Sequence, residues 1–478
     1  MKKTLLISAL FALGITTSCT DFDELNINPD STSKVTSEMI ATQIMKDTYR
    51  FWNPNPTDYA TANLWCKHTV LCETNPNPYQ YYYSYWPYGG FDNFKKLTDV
   101  KRMVEYAEGT PQAASYKGLS LFMKAWWGFD MTLDMGDIPY SEAGKAEEGI
   151  FQPKYNKQAD VFAYILQDLK DAAQYFSEGA DFTGDIMLGE SVDKWERLCN
   201  AMQLKVLQTM SRKVTPEQKQ RFAEIVSQGK LMENNDNNFQ LTYEDNPNAS
   251  HPYYNGESKR RYHAISKLAA DELKRLQDRR LFYFAEPAEA LINTGLSEND
   301  FNAYEGAPSE ITAEQLAINN NEGKYSLINK RYTLLRAGDP KLYFSYAEQC
   351  FIIAEGIEEG WVSGNSQDYY ENGVKAMLEY YMNLSSASSG YHGMPITKDY
   401  IDHYFEGAAA YATDKTERLH QIWMQRWLID FFQGREDGNY AQFLRTGYPE
   451  FPLNPSTSMN PDDVNVYPKR WKYHGSFI

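Results

Sequence analysis

No run is long and apolar enough to cross a bilayer as a stable helix, which takes about 20 residues; the apolar stretch Leu5–Ile15 is too short, and no other segment qualifies. The body of the chain is therefore expected to be soluble. Positive charge is in deficit: 47 Lys and Arg stand against 64 Asp and Glu, a net charge of −17. A surface this acidic repels nucleic acid and anionic headgroups, which excludes nucleic acid as the main partner. Cysteine is scarce, with five in 478 residues. The segment from Cys66-Lys67-His68 to Cys72 offers one His and no second pair, the wrong spacing for zinc. Cys66, Cys72, Cys199 and Cys350 read as structural thiols, with a Cys66–Cys72 disulfide permitted outside the cytoplasm. No nucleophile elbow, zinc motif or phosphate loop is present. Carboxylates are plentiful, so a surface glycoside hydrolase with two of them roughly 5–10 Å apart stays open as an alternative.

The first residues have the layout of a secretory signal. Lys2 and Lys3 give a positive start, Leu5–Ile15 an apolar core, and Thr16, Thr17 and Ser18 a small-residue site before Cys19. A cysteine in that place predicts a lipoprotein: residues 1–18 are removed, Cys19 takes a diacylglycerol, and the new terminus is acylated, for instance with palmitate. Two or more acyl chains anchor stably where one is marginal. Residues 19–36, opening with Thr20-Asp21-Phe22-Asp23-Glu24, read as an acidic tether.

From residue 37 to 478 the pattern predicts one domain dominated by α-helix. Val161, Ile165, Leu166, Leu169, Ala172, Ala173 and Phe176 make a 3.6-residue stripe over 157–176. Leu119, Phe122, Met123 and Trp126 repeat in the same way over 115–129, as do Trp195, Leu198, Met202, Val206 and Met210 over 192–212. Tyr343, Ala347, Cys350, Phe351 and Ala354 mark a face over 342–360, and 368–382 and 416–433 add two more amphipathic segments. Paired helices of this size resemble tetratricopeptide hairpins, although no 34-residue self-similarity is visible. The helical regions are about 37–49, 93–230 and 342–446. Irregular inserts fill about 50–92 and 233–335, rich in Pro, Asn and Tyr; inserts this long in a compact domain usually carry function.

Aromatics reach 15%, with 36 Tyr, and rings with polar edges suit exposed binding surfaces. Sugar recognition needs flat apolar faces beside amide or guanidinium donors. The first insert offers Trp52, Asn53, Asn55, Trp65, Tyr81, Tyr83 and Trp86; the second offers Tyr253, Tyr254, Asn255 and Arg261. The competing reading is that Trp65 and Trp86 anchor the insert to the helices. Asp130, Asp134 and Asp137 hint at a structural calcium, but lack the ligand ladder of a calcium loop; Gly136-Asp137-Ile138-Pro139-Tyr140 reads better as a helix end, with Asp137 holding the turn. Asn234–Asn238 reads as a polar loop that could hold a hard cation. Arg445-Thr446-Gly447-Tyr448-Pro449 reads as a packed turn, with Arg445 paired to a carboxylate such as Glu436.

Taken in order, several segments resemble the SusD/RagB lipoproteins of Bacteroidetes. They are Phe22-Asp23-Glu24-Leu25-Asn26-Ile27-Asn28-Pro29-Asp30, Gly136 to Ala143, Ser266 to Leu273, Leu276 to Leu281, Tyr346 to Glu355 with Gly360-Trp361, Gln421 to Phe432, and Arg445 to Pro449. The loop after Asp278 lacks a Pro common in the family, and after Trp471-Lys472-Tyr473 the family usually continues where this chain gives His474 to Ile478. The resemblance implies a SusD-like fold, tetratricopeptide-like hairpins carrying irregular ligand-binding inserts. It implies a non-catalytic, surface-exposed outer-membrane lipoprotein that binds a nutrient. The ligand would be an oligosaccharide or, as the alternative, a peptide, and the protein would act as capture and lid subunit of a SusC-type TonB-dependent transporter. No cofactor is implied.

Overall fold

The computed structural model describes residues 35–49, 63–85, 88–384, 390–433 and 437–474. Cys19, Trp52, Asn53, Asn55, Trp86 and Glu436 lie outside them. The longer helices are α1 (Ser37–Tyr49), α2 (Leu97–Tyr106), α3 (Ala113–Met135), α4 (Gln158–Glu178), α5 (Val192–Thr209), α6 (Pro216–Gln228), α7 (Lys267–Leu276), α8 (Tyr346–Glu358), α9 (Ser366–Asn383), α10 (Lys415–Leu428) and α11 (Asp437–Thr446). The fold is all-α dominated, and none of the described helices is long and apolar enough to cross a membrane.

Local chemistry sets the helix ends. Ser191, Ser266, Ser345 and Asn365 each cap a helix by accepting a backbone N–H two or three residues on. Thr215 closes a reciprocal capping box with Gln218 ahead of Pro216 at the first helical position. The packing follows the apolar stripes: α1 lies on α2, α3 on α4, α4 on α5, and α8 on α9 and α10. At Gly128 in α3 a Cβ would stand 2.2 Å from the Tyr140 ring. The missing side chain lets that ring lie on the helix, where its hydroxyl donates to Asp168 at 2.7 Å.

Two large hydrophobic clusters result. One joins α1 to α5 and holds Trp126, Trp127 and Trp195, with Phe239 inserted edge-on against Tyr49 and Trp195. The other joins α7 to α10 with parts of both inserts and the C-terminal tail. Among the described residues, three two-stranded ribbons tie distant segments together. β1 (Thr69–Leu71) pairs antiparallel with β4 (His263–Ile265), linking the two inserts. β2 (Tyr88–Gly89) pairs parallel with β6 (Lys472–Tyr473), linking the first insert to the tail. β3 (Phe239–Leu241) pairs antiparallel with β5 (Lys341–Phe344).

That last ribbon corrects the helix expected over 342–360. Lys341 to Phe344 are extended and fully buried, and the helix begins at Tyr346 behind the Ser345 cap. Tyr343 therefore packs as a strand residue against Tyr49 and Trp126. The segment expected over 416–433 is helical only to Leu428, and that over 192–212 is α-helical to Thr209 and continues as a short 3₁₀ turn at Ser211–Lys213. No disulfide joins Cys66 to Cys72; both are buried.

Candidate functional site

Three segments converge beside α7: the first insert, residues 305–311 of the second, and the loop after α11. Lys67, in a left-handed conformation at φ 60°, turns inward. Its ammonium donates to the Gln80 carbonyl and sits 3.9 Å from the centre of the Tyr82 ring. Burial pulls this amine down to about 7, against the opposing influence of Cys66 and Glu310. The Tyr81 hydroxyl donates to the Ile311 carbonyl at 2.7 Å, and Met459 N–H donates to the Tyr81 carbonyl at 2.7 Å. Thr457 and Asn454 donate side-chain bonds to the Glu310 carbonyl at 2.7 and 3.2 Å. The junction is thus clamped by backbone carbonyls rather than by side-chain packing alone.

Against this junction lies a groove of about 420 Å³. Lys267, Asp271, Glu272 and Arg275 of α7 form one wall; Pro308 to Glu310 and the loop residues Tyr448, Glu450 and Pro452 form the other. Its charges are paired along α7, Lys267 with Asp271 at 2.8 Å and Arg275 with Glu272 at 2.7 Å. Tyr448 stacks on His420 with ring centres 4.2 Å apart and planes 3° from parallel, and Trp423 lies beside them at 6.4 Å. The Ser309 side chain is 3% exposed and its hydroxyl has no hydrogen-bond partner, a cost that a bound polar group would relieve. A supported ring, carboxylate acceptors and a guanidinium together match the faces and hydroxyls of a sugar.

The residues singled out from sequence fall in several places. Trp65 is 1% exposed and packs 4.3 Å from Trp471. Tyr81 and Tyr253 are also buried, the latter bonded through its hydroxyl to His263 Nδ1 at 3.2 Å. Tyr81 and Tyr253 serve as anchors and present no face to a ligand, because an apolar ring with one satisfiable polar edge packs inside as readily as outside; Trp65 is packed in the same way but its indole N–H has no hydrogen-bond partner. Tyr83 is half-buried beside Tyr85. Tyr254 is half-buried under Arg336, and Asn255 and Arg261 are exposed. None of these lines the groove; Tyr81 lines the narrow crevice that adjoins it. The groove's own residues were missed, although Ser266 to Leu273 and Arg445 to Pro449 were already marked as family segments.

The polar motifs are committed to structure. Asp137 accepts from Gln158 N–H at 3.0 Å and from Lys157 Nζ at 2.8 Å, and the Lys157 hydrogen bond holds its carboxyl below the usual range. Asp134 accepts from Trp471 Nε1 at 2.6 Å. The Asn235 amide donates to the Ala376 carbonyl, and Asn237 and Asn238 accept from Glu233 and Tyr346 N–H, each at 2.8 Å. Among the described residues no group of three or more metal-ligating side chains gathers. Arg445 pairs with a carboxylate as expected, that of Glu355 on α8 at 3.0 Å; Glu436, the example offered from the sequence, lies outside the described residues.

A family model described as "Starch-binding associating with outer membrane", of SusD-like type, matches residues 29–474. A solved SusD homologue from Bacteroides fragilis is 35% identical, with 92% of this chain and 93% of that one covered and a TM-score of 0.85. A second SusD homologue from Bacteroides fragilis is 27% identical, with 92% of each chain covered and a TM-score of 0.77. A chitin-binding SusD homologue from Flavobacterium johnsoniae is similar in fold at 17% identity, 87% coverage of each chain and a TM-score of 0.64. Among curated proteins none matches the chain.

Proposed function

The chain belongs to the SusD/RagB family, whose members are binding proteins rather than enzymes, and on that premise we propose that it captures neutral oligosaccharide at the outer-membrane surface in the groove beside α7. The groove carries this reading: a stacked Tyr448, carboxylates alternating with Lys267 and Arg275, and a buried Ser309 hydroxyl free to bond. The family description supports a starch-like ligand, and the chitin-binding relative supports a related glycan. Tyr83, Tyr254, Asn255 and Arg261 keep enough surface to supply contacts to a longer chain. In this reading Cys19 carries the lipid anchor, and the helical face docks on a SusC-type transporter, for which the capture protein acts as lid. Rigid helices carry the surface while loops carry recognition.

The test is affinity electrophoresis of the protein in gels containing amylose or glycol chitin. Retardation by one of them is expected, with at least a tenfold loss of affinity, about 1.4 kcal/mol, in Tyr448→Ala and Asp271→Asn. No retardation by either glycan, or variants that migrate as the parent does, would sink the reading.

A further inference from the structure

A second depression of about 230 Å³ opens at the base of α11, bounded by the C-terminal tail and the ends of α3 and α5. Its lining differs in kind from that of the groove. Arg212, Arg445, Lys469 and Arg470 face it, against one carboxylate, Asp134. Four cations to one anion is a sharp local reversal in a chain of net charge −17. A cleft walled by one sign of charge concentrates the opposite sign.

The four cations are not equally available. Arg445 is already matched, in a two-bond contact with Glu355. Asp134 is likewise spent, accepting from the Trp471 indole and holding the tail in place. Arg212 donates through Nε to the Arg445 carbonyl at 2.8 Å, which pins its guanidinium at the rim and leaves the terminal nitrogens. Lys469 and Arg470 are exposed on the tail beside it. Two guanidinium groups and an ammonium thus stand at the mouth.

The floor supplies an independent sign of a ligand. Trp65 lines the depression at 1% exposure, and its indole N–H has no hydrogen-bond partner. An indole nitrogen can only donate, and a buried donor left unmatched is costly. What is missing is an acceptor. Around it lie ring and aliphatic surfaces, Trp471, Tyr440, Leu444 and Phe162. The space is below the roughly 300 Å³ at which pockets for larger ligands begin, so it holds one ring rather than a chain.

We propose that this depression is a second binding site, taking one sugar unit that carries a carboxylate. The carboxylate lies between Arg212 and Arg470, in the two-bond geometry that guanidinium and carboxylate favour. A ring oxygen or hydroxyl accepts from the Trp65 indole, and the ring's apolar face rests on Leu444 and Trp471. The sugar part of the assignment rests on the glycan-capture reading; the charge part does not.

The experiment is calorimetric titration of the protein with sodium glucuronate, with glucose and with sodium sulfate. Glucuronate is expected to bind at least tenfold more tightly than either of the others, and less tightly as salt is raised. Arg212→Gln with Arg470→Gln, both at exposed positions, should lower glucuronate affinity at least tenfold with an unchanged melting temperature. Trp65→Phe should lower it severalfold with the same proportional effect at low and high salt, since it removes a hydrogen bond and no charge. Tyr448→Ala, in the groove, should leave it unchanged. Glucose binding as tightly as glucuronate overturns charge recognition, and sulfate doing so makes this a bare-anion site. Full affinity in the double arginine variant, or no glucuronate binding at millimolar concentration, overturns the site. Loss in Tyr448→Ala moves the anion to the groove and overturns the assignment, whether or not the groove binds neutral glycans.

Discussion

The cluster around α1 to α5 and the one around α7 to α10 are of similar size but are held by different forces. In the first, aromatic rings dominate, with Trp126, Trp195, Phe122 and Phe239 meeting edge to face or tilted, and the buried Asp185 carboxylate accepts from the Trp195 indole and from the Met187 and Glu190 N–H groups. In the second, ion pairs lie inside: Arg280 with Asp278, both at zero exposure, and Arg331 with Asp339. At the seam between the two, Lys205 of α5 and Arg426 of α10 share Glu348 of α8 at 2.8 and 3.4 Å. The first region is stabilised by area removed from water, which tolerates imprecision. The second depends on matched charges, and a buried charge that loses its partner is far costlier than a lost methyl.

The largest expected effect tests that contrast at its extreme. Asp278 accepts from Arg280 through both oxygens and from the Tyr404 hydroxyl at 2.6 Å. Asp278→Ala leaves the guanidinium buried with Gln425 as its remaining partner, and should cost about 3–5 kcal/mol in urea unfolding. A loss below about 1 kcal/mol would mean that water reaches the site and that the two regions do not differ as described.

Acid should act on the second region next. Burial is the main cause that lowers His68 and His263 to about 3 and His251 to about 4, from ordinary values of 6.5. A histidine with a folded value below its unfolded one takes up a proton only on unfolding. Its contribution is therefore complete above about pH 6.5 and is lost as pH falls toward 4, approaching about 1.4 kcal/mol per pH unit for each ring. Lys67, lowered to about 7, acts with the same sign at higher pH, so stability should also rise from pH 7 toward 10. Urea midpoints measured from pH 4 to 10 check both slopes. A profile that stays as steep in His251→Gln and His263→Gln would place the acid sensitivity elsewhere.

The same contrast explains what could be read from the chain alone. The apolar stripes of α3, α4 and α5 are local, so their period showed them, and Val161, Leu169 and Phe176 are buried as expected. The strand at Lys341–Phe344 was hidden because four apolar-rich residues before a helix fit either period, and only pairing with Phe239–Leu241 decides between them. Within the segments expected to be irregular, composition could not tell a Trp65 turned inward from a Tyr83 left half-exposed, and Lys267–Leu276 and Ala313–Asn321 of the second segment form helices. The groove was not legible because its walls come from residues 266–275, 307–310 and 448–452 together with Met424. The partners of the second region are similarly remote: Arg280 reaches Gln425, 145 residues on, and the Trp427 indole reaches the Cys66 carbonyl across 361. No window along the sequence contains such pairs.

The smallest effect falls on the first region, where a local device should act locally. Thr215 caps α6, its hydroxyl accepting from Gln218 N–H at 3.3 Å while Gln218 answers at 2.9 Å. The helix buries only Phe222 and Ile225, so its start owes more to the cap than to packing. Thr215→Ala should cost about 1 kcal/mol, without the histidine- and lysine-linked slopes of the second region; the one titratable group it touches is the exposed Glu217, whose carboxyl its own backbone N–H, helped by the Thr215 hydrogen bond, holds below its ordinary value. Hydrogen exchange should show the loss confined to the first turn of α6. Exchange that accelerates across α8 and α10 as well would mean that the two regions unfold as one, and that the division between them describes composition but not energetics.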